Sequence, residues 1–550
     1  MNTLVHQARR HPAALVWIVA ATAYAVLFAA SQGKIIFTDE VVFAQDFVSA
    51  AQGNWPAVRI PHPPLYVSLG AMLVSAFGNN LTAMRAMGGA SFLLTLALIP
   101  MTMRALFPER AERAALIAMA IWVLQPLAVQ GSLLIDIDNT IFVPAMLLFI
   151  WAGANPRRSP LAVGLTFAAM LWTKLLPTAL FIATSVVLVR LVRREGFGRL
   201  LLGLLGGAAL FSVSVWAYAA LIGFELDILL STFSRTGELG KGVARMISRG
   251  IMGGGITAVW VGAPFVLMYA AALRKRLAAF WRERTVLPSD ALIVCALGGL
   301  FLLSIGNDLP MGFPRYHYPI LLLVTLTVSA WLATWEPTRR DLIVLAALTV
   351  AAAGYFSLVI PDPLLPQYLL TFETNDLVQR LTFALQSQAI FFGLPFALLI
   401  AAAWAARSRA AGRIACVSFC LASWAVLDLA QTRAEYSTLY EYGRAGGAEA
   451  ARIVRDSTPA DAVIVAPREV DWLTSRKATL STQLAGPNGT PAQWLAFFAA
   501  NKPAAVVLPT KEDTRYTQVT RDPEVLAQLS ACYTPPRAIG SYRVWIRTCK

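Results

Sequence analysis

The chain has 550 residues, 57% of them hydrophobic and 14% charged, with a formal net charge of +15; an ordinary soluble protein carries about 25% charged residues. This balance excludes a soluble globular enzyme. The arginines fall in short clusters between apolar runs, so the basic charge is a topology signal and not a nucleic-acid footprint.

The first apolar run, 12–30, follows Arg9 and Arg10. It reads as a retained membrane span, being longer than the core of a secretory signal peptide, the other reading such a start allows. Six more basic clusters follow, at Arg104/Arg110/Arg113, Arg157/Arg158, Arg190/Arg193/Arg194/Arg199, Arg274/Lys275/Arg276/Arg282/Arg284, Arg339/Arg340 and Arg407/Arg409/Arg413. The positive-inside rule puts all of them in the cytoplasm. About thirteen spans follow: 13–31, 82–106, 113–130, 139–154, 161–174, 176–192, 199–222, 251–273, 288–305, 317–335, 341–360, 389–406 and 411–430. The run 63–78, opened by Pro63 and Pro64, is too short to cross and reads as a juxtamembrane helix on the outer face. In the loop 223–250, Lys241, Arg245 and Arg249 recur every four residues. On a helix they form one basic face, suited to lipid phosphates or simply to solvent.

From Arg433 to Lys550 there are 26 charged residues in 118 positions, against 51 in the preceding 432, which marks a water-facing domain. Within it 462–466, 504–508 and 542–547 read as strands, and 443–455 and 491–500 as helices. The expected fold is therefore mainly α, a polytopic membrane helix bundle over 1–432 with a small C-terminal α/β domain over 433–550. An odd number of spans with a cytoplasmic N-terminus places that domain outside. A two-residue type II′ turn at Gly540-Ser541 would set residue 532 opposite 549, so Cys532 and Cys549 could form a disulfide in an oxidising compartment. Cys295, Cys416 and Cys420 lie in apolar runs, and none of the five cysteines has metal-ligand spacing.

Ionisable groups are costly at the bilayer centre, so their positions carry information. They gather at the outer ends of the spans: Asp39 and Glu40, His62, Asp136 and Asp138, Lys174, and Arg315 with Tyr316 and His317. The stretch FTDEVVFAQDFVSAAQGNWPAVRIPHPPLYVSLGAMLVSAFG, with Asp39-Glu40 and His62-Pro63-Pro64-Leu65-Tyr66, resembles the first outer loop of GT-C glycosyltransferases. Within that superfamily it is similar to the protein mannosyltransferase-like and lipid A aminoarabinose transferase-like branch. IDIDNTIFVPAMLLF, LWTKLLP and PRYHYPILLL extend the resemblance over roughly residues 13–335.

The resemblance implies sugar transfer from a polyprenyl-phosphate donor to a glycan, lipid or protein acceptor at the outer face of the inner membrane, with membrane lipids as further partners. It places Asp39 against the acceptor hydroxyl, with Glu40 beside it. A carboxylate of pKa near 4 is a weak base for a hydroxyl, so proton transfer comes late, as the anomeric carbon becomes oxocarbenium-like. The phosphate leaving group needs cations, for which His62, Lys174, Arg315 and the neighbouring Tyr316 and His317 are candidates. Lys174 could equally snorkel from a helix end, Arg315 anchor an interface, and His62 shape a turn. Asp136 and Asp138 could hold a divalent metal ion or the sugar, and Asp138 also suits a helix N-cap; the cofactor question stays open. A transporter or flippase of lipid-linked sugars, or a surface-polysaccharide polymerase or ligase, are the alternative readings.

Overall fold

The computed structural model describes residues 12–33, 38–58, 62–137, 140–174, 178–227, 286–306, 314–336, 338–359, 446–474, 477–480, 490–509, 522–540 and 542–549, with a few isolated positions between them. The spans expected at 251–273, 389–406 and 411–430 and the segment holding Lys241, Arg245 and Arg249 lie, apart from single positions, outside the described residues. The chain divides into two units. One comprises 1–32, 42–360 and 386–432, the other 33–41, 361–385 and 433–550.

The first unit is helical. Its elements are α1 (Pro12–Ala30), α2 (Thr38–Ala51, of which 38–41 fall in the second unit), α3 (Leu65–Phe77), α4 (Leu81–Leu106), α5 (Ala111–Leu124), α6 (Pro126–Ser132), α7 (Phe142–Ala154), α8 (Pro160–Thr173), α9 (Thr178–Arg193), α10 (Phe197–Ile222), α11 (Pro288–Gly306), α12 (Pro314–Leu332) and α13 (Arg339–Val359). α1, α4 and α10 are long and apolar enough to cross a membrane. α10 turns Leu202, Leu205, Val213, Trp216 and Leu221 outward, Leu221 at 81% exposure, a continuous apolar face that only lipid or another apolar surface can cover. α1 is tied into the bundle as a retained span would be: Trp17 Nε1 donates to the Leu93 carbonyl at 2.9 Å and the Tyr24 hydroxyl to the Ser132 carbonyl at 2.9 Å.

Local chemistry sets the helix ends. Asn80 caps α4 by accepting from the Ala83 amide, and Ser159 caps α8 by accepting from Ala162, with Pro160 in the first turn. The expected continuous span 113–130 is two helices. Pro126 has no N–H to give and forces Gln125 into extended backbone, so α5 stops and α6 restarts. α7 begins at Phe142, with Ile141 as its cap residue and no side-chain cap; Asp138, expected as an N-cap, lies outside the described residues.

Two arginines of α9 gather three helix ends. Arg193 donates to the carbonyls of Ala105 at 3.0 Å, Leu106 at 2.5 Å and Ala154 at 2.8 Å. Arg190, fully buried, donates from Nε to Gly153 at 2.8 Å. Orphan C-terminal carbonyls carry the negative end of the helix dipole, which these guanidinium groups neutralise. The C-termini of α4, α7 and α9 thus lie together at one end of the bundle. The N-termini of the same helices lie at the other.

α8 and α10 cross at backbone contact. A Cβ on Gly164 would stand 3.0 Å from the Gly203 carbonyl, and one on Gly207 2.6 Å from the Gly164 carbonyl. Three glycines are what let these two helices approach so closely.

The second unit contains α14 (Gly447–Ser457), β1 (Val463–Ala466), α15 (Arg468–Thr474), β2 (Lys477–Leu480), α16 (Pro491–Asn501), β3 (Ala505–Pro509), α17 (Pro523–Cys532), β4 (Arg537–Ile539) and β5 (Tyr542–Ile546). The sheet order is β2-β1-β3-β5-β4, parallel across the first three strands and antiparallel across the last three. α14 and α15 pack on one face through Ala450, Val454 and Val470, and α16 and α17 on the other through Trp494, Phe498, Val525 and Leu529. The hairpin pairs Arg537 with Val544, Ala538 with Arg543 and Ile539 with Tyr542, the register a two-residue turn after Ile539 demands. Gly540 supplies its positive φ of 54°. Cys532 and Cys549 form a disulfide across a Cα separation of 4.9 Å.

Candidate functional site

The end of the bundle opposite the arginine clamp concentrates buried polar residues. Arg85 lies in the second turn of α4 and is fully buried; Asp136 follows α6 at 4% exposure; Lys174 closes α8 at 3% exposure. Lys174 leaves the helix with extended backbone while its N–H still bonds Met170 at 3.2 Å. A snorkelling lysine would put its ammonium in the interface. Lys174 instead points its stem and charge into protein. Asp46 on α2, 3% exposed, and Gln125 and Gln130, both fully buried, complete the described set.

A chain of contacts links Lys174 to the HPPLY stretch. Trp172 donates its indole N–H to Ser214 Oγ at 2.8 Å, and its ring lies 5.6 Å from that of Tyr218 on α10. The Tyr218 hydroxyl is 2.8 Å from Ser68 Oγ. Ser68 gives its own hydrogen to the Pro64 carbonyl at 2.7 Å, so Tyr218 is the donor between them. Trp55 adds an edge contact to Tyr218 at 6.5 Å. Pro63 and Pro64 are buried and His62 is half-buried, all at the start of α3, which packs on both α4 and α8. The expected helix at 63–78 is therefore present as α3, seated over the ends that hold Arg85 and Lys174.

The segment expected as a loop after the first span is helical. Asp39 and Glu40 open α2, whose Phe43 and Phe47 rings meet Tyr66 edge-on at 5.3 and 5.2 Å. Glu40 is buried, at 2% exposure. The side chains of Asp39, Arg315, Tyr316 and His317 and all of Asp138 lie outside the described residues. The backbone of Arg315-Tyr316-His317 forms the first turn of α12. That turn is at the same end of the bundle, because the next residue, Tyr318, bonds the Ala128 carbonyl and sets its ring 5.0 Å from Trp122.

The structure thus brings His62, Asp136 and Lys174 to one end and adds Arg85, Asp46, Gln125 and Gln130, which the sequence reading missed. Arg85 had a signal: it sits inside an apolar span, where an ionisable residue is costly and so a candidate for function. Asp46 falls at helical spacing from Phe43, Phe47 and Ala50, all buried, so its period put it on the inward face. Among the described residues no group of three or more His, Cys, Asp or Glu side chains is placed to hold a metal ion. What the arrangement offers is two buried cations, Arg85 and Lys174, and the buried carboxylates Asp46 and Asp136 in a low-dielectric setting, which suits an anionic head group attached to a neutral polar one.

A helical membrane bundle with its polar residues at one end and an α/β unit at the C-terminus defines the class. No protein-family model matches the chain, and no curated protein matches it in sequence. Solved structures match it over nearly its whole length, among them two of one protein. ArnT from Cupriavidus metallidurans bound to undecaprenyl phosphate is 16% identical, with 98% of this chain and 99% of that one covered at a TM-score of 0.64. The apo state of the same protein matches at 16% identity, 97% and 98% coverage and a TM-score of 0.60. The fold of this chain is the fold of these ArnT structures.

Proposed function

We propose that the chain is an inner-membrane glycosyltransferase that moves a sugar from a polyprenyl-phosphate donor to an acceptor on the outer face. The observation that carries this reading is the pair of buried cations, Arg85 and Lys174, at the same end of a GT-C-type bundle as Asp136 and the HPPLY helix. A phosphate leaving group departs as an anion, and fixed cations in a water-poor site stabilise it as charge develops. Undecaprenyl phosphate in the matched ArnT structure supports a lipid carrier of that kind. Asp39 acts as the base toward the acceptor hydroxyl and Glu40 orients it; His62 and the turn Arg315-Tyr316-His317 flank the donor's phosphate and sugar. The acceptor is a glycan, a lipid or a protein.

A transporter would hold its substrate near the middle of the membrane, between broken helices. The described polar residues favour an end of the bundle instead. The N-terminus is cytoplasmic and the C-terminal domain of 433–550 extracytoplasmic. The disulfide Cys532–Cys549 supports that side, since such bonds persist in oxidising compartments.

Mass spectrometry of protein purified in mild detergent tests the donor class. A polyprenyl phosphate should co-purify and be lost from Lys174→Ala; equal retention by that variant and the unaltered protein would remove Lys174 from the phosphate site.

A further inference from the structure

The described residues that follow α6, 133–137, form no α-helix yet are buried. Ser132, Leu133, Leu134, Ile135, Asp136 and Ile137 are all 4% exposed or less. Non-helical backbone at membrane depth persists only where its polar groups find partners inside the protein. At the end of α6 the Gln130 and Gly131 carbonyls meet the amides of Leu133 and Leu134 at 3.3 Å, while the Ser132 carbonyl lies beyond the last helical turn.

Two tyrosines from distant parts of the chain supply donors. The Tyr24 hydroxyl of α1 donates to the Ser132 carbonyl at 2.9 Å, and the Tyr318 hydroxyl of α12 to the Ala128 carbonyl at 3.4 Å. Ser132 Oγ meets the Val129 carbonyl at 2.7 Å. Gly88 of α4 closes the third side, since any Cβ there would overlap the Ser132 carbonyl. Both tyrosines thus meet the chain within eight residues of Asp136 in sequence. Their rings are held independently of their hydroxyls. Tyr24 stacks on Phe92 at 4.7 Å and Tyr318 meets Trp122 edge-on at 5.0 Å.

We infer that Tyr24 and Tyr318 are positioning residues that clamp the backbone of 128–137 from two sides and so fix where the Asp136 carboxylate is presented. The inference rests on the proposed transferase reading for its kinetic part only. It makes Asp136 the acid of the second outer segment that the clamp serves, and it explains why an irregular stretch is buried so completely.

Phenylalanine at either position keeps the ring packing and deletes only the O–H. Tyr24→Phe and Tyr318→Phe should each lower kcat roughly five- to tenfold, the loss of one hydrogen bond, with the donor KM unchanged. In an Asp136→Asn background the Tyr318→Phe change should cost less than about twofold, because its effect runs through that carboxylate. Hydrogen exchange gives a readout that needs no turnover. Peptides covering 128–137 should exchange faster in each Phe variant, while those of α4 beyond Gly88 stay unchanged. Unaltered exchange over 128–137 in both variants would overturn the clamp whatever the substrate proves to be. Full additivity of Tyr318→Phe and Asp136→Asn would overturn the link to Asp136. Altered exchange with no lipid-linked donor used by the unaltered protein would uphold the clamp and defeat the transferase reading alone.

Discussion

Replacing Arg193 with alanine separates the end of the bundle that holds it together from the end assigned to chemistry. Arg193 makes hydrogen bonds to three carbonyls, of Ala105, Leu106 and Ala154. Bonds to a charged partner are each worth about 1.5–3 kcal/mol when buried. The side chain is half-buried and the three bonds are not independent, so about 2–4 kcal/mol is the reasonable total. A loss of about 2 kcal/mol from the unfolding barrier speeds thermal inactivation by roughly 30-fold. Arg85 and Ala105 are both on α4, and their separation in sequence places the two ends about 30 Å apart at 1.5 Å per residue. Arg193→Ala should therefore inactivate much faster at a fixed elevated temperature in detergent, yet keep its initial transfer rate at low temperature within about twofold. Arg193→Lys should fall between, because an ammonium cannot span three acceptors as the guanidinium fork does. An Arg193→Ala protein with normal thermal half-life but lost activity would refute this division of labour.

Three further expectations follow from individual residues. Asp39→Asn should cut transfer by roughly 100-fold or more, the usual range for general-base assistance, and Glu40→Gln should cost less; equal and small effects in a radiolabelled-sugar assay would remove both from the chemistry. The Cys532–Cys549 bond closes a loop of sequence separation 17, so the Cys532→Ser/Cys549→Ser double variant should lose about 3 kcal/mol of stability in the C-terminal domain, and neither thiol should label in native, unreduced protein. Burial pushes the Asp471 carboxyl up to about 6. The folded state then holds this proton more tightly than the unfolded one, so stability is greatest at low pH and falls as pH rises through about 6. Asp471→Asn should flatten that step in the pH dependence of thermal unfolding.

The helices of the bundle were legible because each needs an apolar run, and apolar runs are visible in sequence: α4, α9 and α10 lie within two residues of where the runs place them. Local rules that compete with hydropathy were harder to weigh. Pro126 sits in the middle of an apolar stretch, and only its missing N–H splits α5 from α6. Thr38–Ala51 has a helical period, with Val41, Ala44 and Phe47 buried, but its acidic start and polar positions read as a loop. In the C-terminal unit, β2 has four residues, too few for alternation to register, and was missed, while the three-residue β4 was legible only as the first arm of the hairpin at Gly540-Ser541. The site divides similarly. Charged residues at span ends were conspicuous, whereas Arg85 inside a span and the tyrosines Tyr24 and Tyr318 look like packing until their partners are seen. Which carbonyl a hydroxyl reaches is a property of tertiary structure alone, since Tyr24 and Ser132 are 108 residues apart.

The most direct test of the central claim is a donor comparison. Purified protein in lipid free of polyprenyl phosphate is given either a polyprenyl-phosphate sugar or the matching nucleotide sugar, with an outer-envelope extract as acceptor. Transfer from the lipid-linked sugar alone, weakened in Lys174→Ala and Arg85→Ala, is the predicted result. Turnover with the nucleotide sugar alone would contradict the donor class and the role given to the buried cations.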